Sequence, residues 1–407
     1  MRIALIPDEF LPDGTRAHAR MIYELACQLK KLGHVPIVIT PGTPRQANIL
    51  QIDYIDGIEV WRFRSGYTRG VGMLRRAINE FLLSFRAWIA IRKMVKGNKI
   101  DLCINYSPTI FFGPLAWKLR NQGAYVYLVL RDMFPQWVID QGLIKESSFA
   151  AHFFRLFEKI NYNAAHCIGL QSKANLDLFS ENFPTFKNIE ILMNWTAPEC
   201  FEKDKKDKKD KKDNSFRKKL AIGNKVLFFY GGNIGHAQDM SNIMRLAKNL
   251  RDVYQSHFLI LGDGDEYNLI KNLKAEWVLD NVTIFPSVRQ KEFEGILADS
   301  DIGLFSLSRE HSAHNFPGKI LAYLRAGKPV LGSVNAGNDL LHVINDSNSG
   351  FVFLNGQDHL LEKAAKRLVE SAQLRKNIGS NGTTLLQQKF SVDSAAKTIL
   401  ASMERWQ

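Results

Sequence analysis

What most constrains this chain is a pattern that occurs twice along it: short, wholly apolar segments alternating with amphipathic stretches of helical period. Residues 2–7 read as a buried strand, and the next segment places Met21, Ile22, Leu25, Ala26, Leu29 and Leu32 on one helical face. Gly33 ends that helix, and 35–40 form the following strand. Further strands are expected at 101–105, 124–130 and 166–170, with helices near 111–121 and 149–163. From residue 225 the alternation starts afresh, with strands at 225–232, 257–264, 281–287, 301–307 and 329–333 separated by helices.

Strands apolar enough to be covered on both faces, joined through helices, build parallel sheets with right-handed crossovers. The fold class is therefore α/β, as two Rossmann-like, doubly wound domains. The predicted divisions are an N-terminal domain over 1–200, a charged linker over 201–219, a C-terminal domain over 220–390 and a closing helix over 391–407. Ligands bind such domains outside the carboxyl ends of the strands. Two of them facing across a cleft would hold a donor on one side and an acceptor on the other.

Charge narrows the partners. The chain carries 54 Lys and Arg against 41 Asp and Glu, a net +13. The run 203-KDKKDKKDKKD-213 has seven Lys and four Asp and nothing apolar to bury, which suits a solvated linker. The other concentration lies at 62–99, with ten basic residues opposed only by Glu80. They interleave with Trp61, Phe63 and a helically spaced stripe at 74, 78, 81, 82, 85, 88, 89 and 92. Aromatic groups among cations suit an anionic membrane surface; the alternative is a core helix with a basic rim. No nucleic-acid-binding module accompanies the charge. No apolar run is long enough to span a membrane, and the start lacks a secretory signal. Cys27, Cys103, Cys167 and Cys200 are too scattered for a zinc site or disulfide framework, so a cytoplasmic setting is expected.

Candidate site residues follow the predicted strand ends. Gly14 precedes a helix N-terminus, where free amides suit a phosphate. After the strand ending near 130 the sequence turns abruptly charged, at 131-RDMFPQW-137. There Asp132 is placed to orient an acceptor hydroxyl or act as base, and Arg131 to hold it ionised or touch a phosphate; an ion pair capping the strand is the plainer alternative. Asn233 and Gln238 project from the glycine-rich turn 231–239, and Gly264 lies in a second such turn. Arg309, His311, His314, Asn315, Gly318 and Lys319 fall within eleven residues and run into an apolar helix, a credible diphosphate site. No convergent ligand set suggests a metal.

These segments together resemble the family 4 glycosyltransferases of GT-B fold. The resemblance rests on 12–40, 229-FYGGNIG-235, 260-ILGDGDE-266, 298–307 and 317-PGKILAYLRAGKPVL-331, and so extends over nearly the whole chain. The segments 131–137 and 315–324 are most similar to a subgroup serving bacterial O-antigen and capsule assembly, which includes N-acetyl-L-fucosamine transferases. The resemblance implies sugar transfer from a nucleotide-sugar to a lipid-linked saccharide acceptor, with retention and with neither metal nor cofactor, by a protein peripheral on the inner face of the cell membrane. An N-acetylated deoxyhexosamine is among the sugars it admits. It puts the donor on the C-terminal domain and the acceptor on the N-terminal one.

The chain departs from the family at its charged positions. Two family glutamates align with His314 and Ala322, the basic diphosphate ligands with Asn233 and Gln238, and the N-terminal histidine with Arg131. Lys319, Arg309 and the two histidines are expected to supply the positive charge, Lys319 and the helix amides stabilising the departing diphosphate while Asp132 positions the acceptor. A GT-B epimerase or phosphorylase, or a non-catalytic scaffold binding sugar nucleotides, are the alternatives.

Overall fold

The computed structural model describes residues 1–12, 17–68, 70–107, 109–140, 142, 144–197, 216–310 and 316–406. The chain divides into two compact units, residues 1–196 with those from 392 onward, and residues 197–391.

The first unit is built on eight strands: β1 (Arg2–Ile6), β2 (Val35–Pro41), β3 (Leu50–Ile55), β4 (Ile58–Phe63), β5 (Leu102–Tyr106), β6 (Tyr125–Leu130), β7 (Cys167–Leu170) and β8 (Ile189–Ile191). Their order is β3-β4-β2-β1-β5-β6-β7-β8, parallel except for the antiparallel pair β3–β4. The helices are α1 (Ala17–Lys31), α2 (Met73–Phe81), α3 (Leu83–Gly97), α4 (Gly113–Arg120), α5 (Gln136–Asp140), α6 (Phe149–Ala164) and α7 (Lys173–Asn182). Every residue of β5 and β6 is buried, as expected for strands covered on both faces.

The second unit holds α8 (Phe216–Lys219), β9 (Val226–Gly231), α9 (Met240–Asn249), β10 (Ser256–Leu261), α10 (Tyr267–Glu276), β11 (Val282–Phe285), α11 (Gln290–Asp299) and β12 (Ile302–Ser306). It continues with α12 (Gly318–Arg325), β13 (Val330–Val334), α13 (Leu340–Asp346), β14 (Gly350–Leu354), α14 (Asp358–Glu370) and α15 (Ala372–Lys389). Its strand order is β11-β10-β9-β12-β13-β14, wholly parallel. The closing helix, α16 (Val392–Trp406), returns to the first unit. There Gln28 Nε2 donates to Asp393 Oδ1 at 2.9 Å, and the Tyr125 and Ser402 hydroxyls meet at 2.8 Å.

Both sheets reverse their winding beside the first strand, between β1 and β5 and between β9 and β12. These switch points open a crevice at the carboxyl ends of the strands, so the geometry of each fold positions a site there.

Two expectations need correction in the basic stretch 62–99. Trp61 and Phe63 are not interfacial; they are fully buried in β4, and Arg62 between them pairs with Asp53 at 2.9 Å. The hairpin is closed by Asp56 and Gly57, both with positive φ, the turn that suits twisted antiparallel strands. The helical stretch is also two helices, α2 and α3, meeting at Leu82. Leu83, Ser84, Ala87, Ile91 and Val95 face the core from α3, while Leu74, Ile78, Phe81, Phe85 and Ile89 of the stripe are exposed, Leu74 at 78%. Among the described residues no helix is long and apolar enough to cross a membrane.

Candidate active site

At the switch point of the first unit, four separate segments converge. Asp8 lies two residues beyond β1, and His18 is in the first turn of α1. His18 Nε2 is 2.8 Å from Asp8 Oδ1 and 3.7 Å from Glu9 Oε1. His18 Nε2 thus lies within ion-pairing distance of the Asp8 carboxylate. The imidazole stacks on Tyr106, the last residue of β5, with ring centroids 5.5 Å apart and planes inclined by 22°. Burial pushes the Tyr106 hydroxyl up to about 12, so it stays protonated and can donate.

Arg131 and Asp132 leave the end of β6 with different roles. Arg131 donates from Nη1 to Leu192 O at 2.6 Å and from Nη2 to Met193 O at 3.3 Å, with its guanidinium 5.5 Å from the Trp195 ring centroid. Those contacts hold the segment after β8 against the end of β6, so Arg131 positions the site from within. Asp132 is accessible at the surface yet closely surrounded. Desolvation raises its carboxyl above the usual carboxylate range, while the Arg131 and His18 charges pull it down. An acid between opposing influences of this kind can bind a sugar hydroxyl and take its proton.

In the second unit the donor-type residues surround the loop after β9. Lys319, second residue of α12, is half-buried overall, with its Nζ sealed from solvent 3.4 Å from the Tyr230 ring centroid. Nζ has no hydrogen-bond partner among the described residues. Burial holds its ammonium well below the usual lysine range. A Cβ added at Gly232 would lie 3.4 Å from Nζ, so this glycine lets the loop close over the cation. A buried cation at a helix N-terminus that no side chain caps among the described residues is suited to an anion.

Asn233 and Gln238 are joined to each other, Asn233 Nδ2 donating to Gln238 Oε1 at 2.8 Å. Gly264 is needed by the backbone: at φ 158°, a Cβ would stand 2.1 Å from Ile234 O. It lets the turns after β9 and β10 interlock, with Ile234 N on Asp263 O at 2.9 Å and Glu266 N on Ile234 O at 3.0 Å. Gly264→Ala is therefore expected to lose about 2–4 kcal/mol of stability in chemical denaturation, through backbone strain and not lost ligand contact. A midpoint equal to wild type would refute this.

Arg309 faces an open cavity of about 490 Å³ lined also by His236, Asp239, Arg245, Glu266, Glu310 and Asp358. Arg245 is paired with Asp358 at 2.6 Å, and the remaining carboxylates outnumber Arg309. That acidic surrounding is unsuited to an anion such as a diphosphate. The structure thus brings Lys319 to Gly232 and Asn233 to Gln238 and Gly264, and sets Arg309 in the acidic cavity. Gly318 opens α12 beside Lys319. Gly14, His311, His314 and Asn315 lie outside the described residues. Sequence reading missed Asp8, His18, Tyr106 and Tyr230; the first two flank the loop singled out for Gly14, and that flanking was the available signal.

Known proteins share this fold. Residues 17–195 match the family described as glycosyl transferase 4-like domain, and residues 211–385 match glycosyl transferases group 1. Each half of the chain thus matches a glycosyltransferase domain family. Among curated relatives, the probable glycosyltransferase WbjE of Pseudomonas aeruginosa is 23% identical over 228 residues, 55% of this chain and 54% of its own. The chain thus spans about half the length of that relative. Among solved structures, WaaG, a glycosyltransferase involved in lipopolysaccharide biosynthesis, superposes with a TM-score of 0.65 at 16% identity, covering 98% of this chain and 99% of its own. Anabaena HepE, in complex with UDP and glucose, gives 0.65 at 13% identity with full coverage of both chains. At these identities the likenesses establish the GT-B fold for the two glycosyltransferase domains.

Proposed function

We propose that this protein transfers a sugar from a nucleoside-diphosphate donor to a lipid-linked saccharide in the assembly of a bacterial surface polysaccharide. The observation that carries the reading is Lys319, a buried ammonium at a helix start, with neither hydrogen-bond partner nor side-chain cap there among the described residues. A cation so placed is costly unless an anion completes it, and the departing group of a sugar nucleotide is a diphosphate. Asp132, with His18 and Asp8 beside it, supplies hydroxyl recognition on the other unit. Retention without metal or cofactor belongs to the proposal, as does an N-acetylated deoxyhexosamine among the candidate sugars. The involvement of WaaG in lipopolysaccharide biosynthesis supports the surface-polysaccharide role, and the UDP and glucose in HepE support a nucleotide-sugar donor.

The test is release of nucleoside diphosphate from a panel of nucleotide sugars first ranked by thermal shift, since a true donor stabilises the fold by mass action. Release that depends on a lipid-linked acceptor is expected. Tight donor binding without release from any donor would favour the scaffold reading instead.

We also propose peripheral attachment to an anionic membrane through α2 and α3. The exposed row Leu74, Ile78, Phe81, Phe85 and Ile89 is flanked by the exposed cations Arg75, Arg76, Arg92 and Lys93, the pattern of an interfacial helix face. Replacing Leu74 and Phe85 together by Asp is expected to abolish co-sedimentation with vesicles containing phosphatidylglycerol while leaving thermal stability within a few degrees. Wild-type protein that ignores anionic vesicles would end this part of the proposal.

A further inference from the structure

We propose that a row of phenylalanines on α6 seats the hydrocarbon tail of the acceptor and leads it from the protein surface to Asp132. The inference rests on the lipid-linked acceptor read above and names where its tail binds.

The row begins at Phe149, the first residue of α6, which is 88% exposed. Phe153 follows four residues later on the same helical face. Its ring centroid lies 5.8 Å from Phe81, at the end of α2, and 5.7 Å from Phe154. Phe154 in turn meets Phe134 edge to face at 4.9 Å. Phe134 is two residues beyond Asp132. Phe111 fills the angle between Phe153 and Phe154, at 6.4 and 6.3 Å. A chain of ring contacts therefore runs from Phe81, on the exposed apolar face of α2 and α3, to Phe134, two residues from the acid at the strand ends.

Apart from Phe111, which is buried, these rings do not behave as a core. Phe134, Phe153 and Phe154 are only partly buried and Phe149 is almost bare, whereas the core phenylalanines Phe63, Phe112 and Phe179 are sealed from solvent. Leaving that much aromatic area in water is unfavourable unless something apolar covers it. The occupant is defined by chemistry at the outer end. Arg75, Arg76, Arg92 and Lys93 are exposed on the helices beside it, which fits an amphiphile whose tail is joined to phosphate and not a neutral lipid. A chain lying along the rings would bring the saccharide it carries to Asp132 and His18.

The probe is farnesyl phosphate, an isoprenoid monophosphate, titrated calorimetrically below its micelle concentration against inorganic phosphate. Wild type is expected to bind it at least tenfold more tightly than inorganic phosphate. Phe149→Ser and Phe154→Ser are each expected to weaken farnesyl phosphate about tenfold and to leave inorganic phosphate unchanged. Phe149 is so exposed that its replacement keeps the fold intact, so it decides the matter should Phe154→Ser misfold. Equal affinity for the two phosphates, or undiminished farnesyl phosphate binding by Phe149→Ser, overturns the tail seat. Nucleoside diphosphate release to a short-tailed, soluble acceptor separates the two readings. Turnover there, with no preference for farnesyl phosphate, removes the seat and leaves the transferase. Phe149-dependent binding with no turnover of any donor does the reverse.

Discussion

Lys319→Met is expected to raise the donor dissociation constant by about two to three orders of magnitude while leaving the protein as stable as wild type, or more so. The two effects come from one cause. In the free protein the ammonium is buried over the Tyr230 ring without a hydrogen-bond partner among the described residues, so its desolvation opposes folding. Methionine fills much the same volume without that penalty. Once a diphosphate arrives, the same ammonium makes charge-assisted hydrogen bonds in a dry site, each worth about 1.5–3 kcal/mol, and these the methionine lacks. A residue serving only to pack would lose stability and spare affinity. Calorimetric titration with the donor and a melting curve on one preparation therefore discriminate.

The shifted titration adds a sign that can be checked. Burial lowers the lysine pKa in the free fold, and a bound diphosphate raises it, so binding takes up a proton at any pH between the two values. Donor affinity should then fall as pH rises through the free-state pKa, and calorimetry in buffers of different ionisation enthalpy should register the uptake. For folding the sign is opposite to that of a paired lysine. The folded pKa lies below the unfolded one, so the penalty is complete below the folded value and is relieved as pH rises towards the unfolded value near 10.4. Lys319→Met should flatten both dependences.

Asp132→Asn should lower turnover by about two to four orders of magnitude with donor affinity unchanged, the usual range for a positioned proton acceptor. The amide keeps the shape and one acceptor oxygen but cannot take a proton. Desolvation raises this carboxyl, so wild-type turnover should fall off on the acid side at a pH above that of an ordinary aspartate. The variant should lose that limb. Turnover of Asp132→Asn within tenfold of wild type would assign the proton-accepting role to the neighbouring Asp8–His18 pair instead.

The strands were the most readable part of the chain. Their apolar runs are local and short, and those at 101–105, 124–130 and 257–264 fall within a few residues of β5, β6 and β10. The edge hairpin β3–β4 was not read, because β3 is largely exposed and lacks an apolar run; Asp56–Gly57 was the signal that marked it. Trp61 and Phe63 were misassigned for a related reason. Alternation with Arg62 and Arg64 suggests an interface, and only pairing of β4 with β2 turns both rings into the core.

By itself the sequence determined the two α/β units, because strand and helix periodicities are properties of neighbouring residues. It also picked out Asp132 and Lys319, each lying where an apolar run gives way to charge or a helix begins. Which side chains meet there was decided by tertiary structure alone. Asp8, His18, Tyr106 and Asp132 come from segments up to 124 residues apart and converge because β1, β5 and β6 lie adjacent and parallel in one sheet. The stripe at 74–92 likewise has its apolar spacing in the sequence, yet only the packing of α3 through Leu83, Ala87, Ile91 and Val95 leaves that stripe to the solvent. A helix with two apolar faces can bury either one, and the rest of the fold makes the choice.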